Sequence, residues 1–270
     1  MNVPNEPPDP RDAIYRDLHH KQLRQQEETN RHSAQVILSQ LLRHFAPESI
    51  LDVGCGLGTW LQVAQSLGVN DVLGIEGDWL DRNLARIPQQ RIVNLDLERT
   101  FDLGRRFDLV ICLEVAEHLH AKAAAPFVES LVRHADVLLF SAAIPFQGGH
   151  HHVNEQFPEY WSQLFHRFGY RPVDCIRPAI WTNSSVLWYL RQNILVFAKH
   201  ELTTGAAPFA GLSQRTEPFS LVHPDLYLMK IKYALSLRED YEKLLAVLKS
   251  GNTFSVVHHL DGRLTITRTS

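Results

Sequence analysis

From Ser49 to Thr59 the chain reads S-I-L-D-V-G-C-G-L-G-T: a short apolar run, three alternating glycines, then the start of a helical pattern with no spacer. A strand that turns straight into a helix through glycines constrains the fold more than any other stretch. The glycines permit positive φ and let a ligand touch the backbone, while the helix start leaves its first N–H groups without intrahelical partners. A unit of this kind belongs in an α/β sheet, and the rest of the chain keeps the alternation.

Ser49–Val53 predicts a first strand and Thr59–Leu67 a helix, followed by a strand at Asp71–Glu76, a helix over Trp79–Ala85 and a short strand at Arg91–Asn94. The near-continuous apolar run Phe107–Leu113 fits a strand buried on both faces. Lys122–His134 predicts a helix, Val137–Ser141 a fifth strand, and Ala142–Glu155 a long loop with Pro and Gly and no period. Pro158–Phe168 predicts a helix, with Pro in its first turn and Gly169 just past its end. Tyr170–Ile176 and Asn193–Ala198 complete a mostly parallel seven-stranded sheet with helices on both faces. Ahead of the sheet, Ala34, Ile37, Leu38, Leu41 and Leu42 carry helical spacing within a helix predicted over Ala13–Phe45.

The expected organisation is a disordered arm over 1–12, a main domain over 13–200, a linker over 201–222, and a C-terminal appendage over 223–270. In that appendage Pro224–Lys249 predicts a helix whose Ala234, Leu237, Tyr241, Leu244 and Leu248 recur at 3-4-3-4 spacing. The stripe packs back on the parent domain or forms a homodimer seam. Leu260-Asp261-Gly262-Arg263 then predicts the turn of a hairpin.

Lys+Arg 27 against Asp+Glu 30 leaves a net charge of −3, so nothing draws the chain onto nucleic acid or anionic lipid. Cys55, Cys112 and Cys175 form no framework and no CxxC motif, which suits reduced thiols. The opening M-N-V-P-N-E-P-P-D-P-R-D lacks the apolar stretch of a secretory signal, and no run reaches the ~20 apolar residues of a membrane span. The expectation is a cytoplasmic protein with no membrane span.

The glycine turn alone fits either a dinucleotide or an adenosyl ligand. A dinucleotide fingerprint, G-x-G-x-x-G/A, wants Gly or Ala where Thr59 stands, and a glycine falls one place earlier. Asp52 would also repel a pyrophosphate, whereas it can accept from an ammonium. Both features disfavour a nicotinamide oxidoreductase.

Asp52-Val53-Gly54-Cys55-Gly56-Leu57-Gly58 resembles the first motif of class I S-adenosylmethionine-dependent methyltransferases, whose fold is Rossmann-like. Glu76, in L-G-I-E-G-D, stands where that family places the acid that holds the ribose hydroxyls. Asp96-Leu97 resembles the pair around the adenine ring, and Phe107–His118 (F-D-L-V-I-C-L-E-V-A-E-H) resembles the fourth motif. The motifs keep the family's order over roughly residues 45–200. The resemblance implies S-adenosyl-L-methionine as cofactor, bound by Asp52, Gly54, Gly56, Gly58, Glu76, Asp96, Leu97 and Leu113.

The acceptor is harder to read. The Asn/Asp-Pro-Pro-Tyr/Phe motif of base and amide N-methyltransferases is replaced by Glu114-Val115-Ala116-Glu117, which disfavours those substrates. The stretch from Ser141 to Gln156, with Tyr160-Trp161 and Gly169-Tyr170 beyond it, is similar to bacterial methyltransferase-domain proteins that accompany glycosyltransferases. That similarity implies a small-molecule acceptor, a hydroxyl before an amine, on a sugar-like or other metabolite. Candidate catalytic groups are His118, His152 and Glu117, since an imidazole suits proton abstraction from a hydroxyl. Glu114, Glu117 and His118 share one face if a helical turn starts there. A second constellation joins His150–His152 with Glu155.

Two alternatives stand beside this reading. One is an S-adenosylmethionine-binding scaffold or sensor without turnover. The other follows from the resemblance of Glu114-x-x-Glu117-His118 plus a downstream His to metal sites of methyltransferases that modify the terminal ribose of small RNAs. There Glu114, Glu117 and His118 would hold Mg²⁺ or Mn²⁺, for which carboxylate oxygens and imidazole are suitable ligands.

Overall fold

The computed structural model describes residues 27–212, 220–249, 254–258 and 264–268. The chain divides into two compact units, Met1–Leu221 and Val222–Ser270.

The first unit holds a seven-stranded sheet. Its strands are β1 (Ser49–Val53), β2 (Asp71–Glu76), β3 (Ile92–Asn94), β4 (Leu109–Leu113), β5 (Val137–Ser141), β6 (Tyr170–Val173) and β7 (Leu195–Lys199). They lie in the order β3-β2-β1-β4-β5-β7-β6. Pairings among β1 to β5 are parallel, and β7 runs antiparallel to both β5 and β6. The order reverses between β1 and β4. A crevice therefore opens beyond their carboxyl ends, where open α/β sheets take ligands.

Successive residues on β1 serve opposite faces, as a pleated strand requires. Ile50 joins one core with Ile37, Leu41, Leu61 and Val72, fed by the described part of helix α1 (27–41) and by α2 (Thr59–Ser66). Leu51 and Val53 join the other with Val110, Phe127, Phe140 and Trp161, fed by α3 (Ala124–His134) and α4 (Pro158–His166). Apolar side chains on both faces explain why β4 and β5 are almost wholly buried.

Several expectations change. No α-helix forms over Trp79–Ala85; Asp81 accepts from the Asn83 N–H at 3.0 Å, and this local turn leaves only a 3₁₀ turn at Arg82–Leu84. Strand six ends at Val173 rather than Ile176, and the last strand is Leu195–Lys199. Two helices were unforeseen, α5 (Arg177–Ile180) and α6 (Trp188–Asn193), both too short to display a period. The stretch 201–222 is not open linker in its first half. Phe209 is fully buried, its ring 5.9 Å from that of Phe45. The arm 1–12 and the first part of the Ala13–Phe45 helix lie outside the described residues.

The second unit holds α7 (Pro224–Lys249) and an antiparallel pair, β8 (Phe254–His258) with β9 (Leu264–Arg268). Leu237 and Tyr241 of the helical stripe are exposed. The predicted turn at 260–263 lies outside the described residues. None of the described helices is long and apolar enough to cross a membrane.

Candidate functional site

A cavity of about 1000 Å³ opens at the carboxyl ends of β1, β2 and β4. Of the residues read as cofactor-binding, Asp52, Gly54, Gly56, Glu76, Asp96, Leu97 and Leu113 line it. Gly58 does not. It caps α2 with φ 79°, and a Cβ there would sit 2.9 Å from the Ile87 side chain, so its role is close packing. Gly54 has φ 78°, and a Cβ on it would meet Val115 at 2.4 Å. That glycine lets the turn approach the end of β4.

The turn is tied down from β2. Gly54 and Cys55 donate their N–H groups to the Ile75 carbonyl at 2.9 and 3.0 Å. Glu76 accepts from the Gly56 N–H at 2.7 Å and from the Gly77 N–H at 2.8 Å. Burial pushes the Glu76 carboxyl above its usual value, and those backbone bonds oppose the shift. Asp52 stands differently: it is buried, and its Oδ2 has no hydrogen-bond partner. Burial first, and the Glu76 charge second, push it up to about 8.

On the far side of the cavity the Glu114/Glu117/His118 trio takes a shape that its spacing did not foretell. Glu114 adopts φ 54° and lies before a 3₁₀ turn, Ala116–His118, so the three do not share a helical face. Glu114 instead turns into a polar clamp. Asn193 Nδ2 donates to both its oxygens at 3.0 and 3.2 Å, and Gln147 Nε2 donates to one at 3.1 Å. Gln192 and Asn193 donate in turn to Gln147 Oε1 at 3.1 and 3.0 Å. Burial still raises the Glu114 carboxyl. Glu114 therefore leaves the metal-candidate set, because amide donors already occupy its oxygens.

Glu117 is wholly buried, and no side chain donates to either oxygen of its carboxyl, which the backbone N–H groups of Glu117 itself and Ala143 approach. Burial, and then the neighbouring Glu114, push its pKa well above the usual carboxylate range. Its backbone carbonyl accepts from Val153 and Asn154 at 2.9 and 3.0 Å, which brings the 142–156 loop back onto this turn. His152 thereby arrives beside His118, ring centroids 4.9 Å apart and edge to face. Ligand atoms of Glu117, His118 and His152 all lie within 4.8 Å of one another, a spacing that could hold a metal ion.

His152 Nδ1 lies 2.9 Å from Glu155 Oε1. A Cβ on Gly149 would fall 2.2 Å from His152 Nε2, so glycine leaves the room the ring occupies. His150 also lines the cavity, while His151 does not. Gln147, Asn193, Trp188 and Tyr189 were missed by sequence reading. They stand 33 to 79 residues from Glu114 in chain order or on a helix too short to show periodicity, so no local signal marks them.

Residues 24–135 match a family described as a methyltransferase domain. No curated protein matches the chain. Among solved structures, the plantazolicin methyltransferase BpumL, in complex with a monoazolic desmethylPZN analog and SAH, is 15% identical with TM-score 0.50, covering 70% of this chain and 91% of that one. The methyltransferase domain of bacterial-CtHen1-C is 16% identical with TM-score 0.46, over 63% of this chain and 98% of that one. Magnesium protoporphyrin IX methyltransferase (ChlM) from Synechocystis PCC 6803, with bound SAH, is 18% identical with TM-score 0.45, over 66% and 86%. The family match overlies the glycine turn, Glu76, Asp96 and the β4 motif, so these residues lie in a stretch that matches a methyltransferase domain.

Proposed function

We propose that this chain moves the methyl group of S-adenosyl-L-methionine onto a hydroxyl of a small, sugar-like acceptor, with His152 as a metal-free base. The observation that carries the acceptor side is the Glu155–His152 pair at the wall of the cavity. A carboxylate that holds Nδ1 fixes the ring and, with the proton there, leaves Nε2 to accept one.

The residues present fit the cofactor. The unpartnered Oδ2 of Asp52 offers an acceptor to an ammonium group. Glu76 keeps lone-pair capacity for a ribose hydroxyl beyond the bonds from Gly56, Gly77 and Trp79. Asp96, Leu97 and Leu113 supply the mixed polar and apolar wall an adenine ring needs. When bound, S-adenosylmethionine offers a methyl carbon whose C–S bond breaks, with the electron pair going to sulfur, as the acceptor's C–O bond forms.

His152 takes the hydroxyl proton, for a factor of ~10²–10⁴. Glu117, whose carboxyl takes no side-chain donor, positions the acceptor by hydrogen bonding. Most of the rate comes from holding both partners in line. The three free thiols suit a cytoplasmic setting.

The test is labelled methyl transfer from S-adenosylmethionine into metabolite fractions by the full chain. Label that depends on His152 supports the reading. Bound S-adenosylhomocysteine with no label in any fraction supports a non-catalytic sensor instead.

A second reading rests on the convergence of Glu117, His118 and His152. In this reading these three residues would hold a divalent ion, which would supply Lewis-acid activation of a ribose hydroxyl. Carboxylate and imidazole fit Mg²⁺ or Mn²⁺.

A further inference from the structure

The acceptor half of the cavity has a charge pattern that narrows what can enter. Among the described residues that line the cavity there is no Lys and no Arg. Asp52, Glu76, Asp78, Asp96, Glu114 and Glu117 all line it. The first four stand on the cofactor side, and Glu114 and Glu117 face the acceptor. Recognition of phosphate or carboxylate uses a fixed cation, a guanidinium fork or backbone N–H groups at a helix start, and the start of α2 lies at the glycine turn on the cofactor side. Among the described lining residues the basic groups are imidazoles, and His152 is already held by Glu155.

The buried carboxyls themselves point the same way. No side chain donates to either oxygen of Glu117 although the residue is wholly buried, so beyond the backbone N–H groups of Glu117 and Ala143 its carboxyl keeps lone pairs for a donor that an acceptor can bring. Glu114 cannot supply it, because its clamp occupies its oxygens. An anion beside this pair would be repelled by whichever carboxyl is ionised, in a setting where water screens little. Trp188 and Tyr189 complete the wall with aromatic surface and no charge.

From this wall we infer that the acceptor carries no net negative charge: it is a neutral polyhydroxylated molecule or a cationic amino derivative, and it gives an O–H or N–H to Glu117. Phosphorylated sugars, nucleotide-activated sugars and nucleic acid are refused by the same wall. This inference rests on the methyl-transfer reading of the site and refines its substrate class.

Two measurements test it with the full chain kept in EDTA. In the first, a small-molecule extract is split by ion exchange into anionic, neutral and cationic fractions, and each receives methyl-labelled S-adenosylmethionine. Label in the neutral or cationic fraction is expected, and label confined to the anionic fraction overturns the inference. No label anywhere counts against the methyl-transfer reading and leaves the decision on charge to the second measurement.

That measurement reads the cavity's field directly. Of the five tryptophans, Trp60, Trp79 and Trp188 line the cavity. With S-adenosylhomocysteine saturating the cofactor side, quenching by iodide, caesium and neutral acrylamide is compared. Relative to acrylamide, iodide should quench about twofold less and caesium about twofold more for each net negative charge felt at ~10 Å. Equal quenching by the two ions, or a preference for iodide, overturns the inference whatever the extract shows.

Discussion

His152 Nδ1 lies 2.9 Å from Glu155 Oε1, and the same oxygen accepts the Gly148 N–H at 2.8 Å. One carboxylate thus fixes both the imidazole and the glycine segment beside it. His152→Ala should lose ~10²–10⁴ in kcat while S-adenosylhomocysteine affinity stays at the wild-type value. Glu155→Ala should lose less, because the ring remains but its orientation is released. In the double variant the losses should fall short of multiplying, as for groups that act as a unit. Single-turnover rates and calorimetry on the same preparations check this. A His152→Ala variant at full rate would remove the base from the site.

The Asp52 carboxyl, pushed up to about 8 by burial and by Glu76, makes cofactor binding a proton-coupled event. In the free protein it is protonated at about pH 7, and an ammonium beside it draws it into the ionised form. Binding of S-adenosylhomocysteine should therefore release about one proton near pH 7 and tighten as pH rises toward 8. Stability of the free protein runs the other way. A folded pKa above the unfolded one contributes stability that is full below the unfolded value of 3.8 and lost as pH rises through 8. Calorimetry in two buffers of different ionisation heat measures the proton count, and Asp52→Asn should reduce it to zero.

Glu76 has two tasks that a pair of variants separates. It braces the Gly56 and Gly77 amides at 2.7 and 2.8 Å, and it presents its remaining lone pairs to the cavity. Hydrogen bonds to a charged group contribute ~1.5–3 kcal/mol, so Glu76→Ala should weaken S-adenosylhomocysteine roughly 10- to 150-fold. Glu76→Gln should recover part of the loss, since an amide oxygen can still accept from Gly56 or Gly77. Unchanged affinity in both variants, read by calorimetry, would exclude Glu76 from the ribose.

These residues show where sequence reading succeeds. Asp52, the glycines and Glu76 follow from strand ends and turn chemistry, which are local and carry a period. Glu114 shows where it fails. Its spacing to Glu117 and His118 suggested one helical face, yet positive φ at Glu114 and the Ser141 backbone turn it toward Asn193 and Gln147. That choice depends on loops brought together only by the fold. The same holds for His152, whose seat beside His118 depends on the Glu117 carbonyl capturing Val153 and Asn154. The Trp79–Ala85 helix failed for a local reason that could have been weighed, the Asp81 side chain competing for a backbone N–H.

The clamp on Glu114 should be a stability element as well as a mooring for the 142–156 loop. Asn193→Ala strips donors from both oxygens of a buried carboxyl, for about 1–3 kcal/mol. At ~2–4 °C per kcal/mol for a domain of this size, Tm should fall by roughly 2–12 °C. Gln147→Ala should cost less, because it removes one donor to Glu114 and an acceptor that Gln192 and Asn193 can in part replace between themselves. Thermal melts at one pH check the order; equal Tm values for wild type and Asn193→Ala would show that the clamp contributes nothing to stability.

Base and metal can be told apart at Glu117, His118 and His152, because the two chemistries make opposite demands on Glu117. A metal ligand must be ionised, and burial together with the neighbouring Glu114 opposes ionisation of this carboxyl. An ion would therefore have to displace a proton, and its affinity would climb steeply with pH. The metal-free base makes no such demand. The expected outcome is full turnover in EDTA and no restoration effect from added Mg²⁺ or Mn²⁺. Manganese chloride should also shift Tm equally for wild type and Glu117→Ala, since an ion held at 100 times its Kd would add ~2.7 kcal/mol to the wild type alone. Turnover abolished by EDTA, restored by Mn²⁺, and equally damaged by Glu117→Ala, His118→Ala and His152→Ala would move the mechanism to a bound ion. Glu114→Gln adds the last control. With its oxygens committed to Asn193 and Gln147, it should leave any Mn²⁺ response as it is in the wild type.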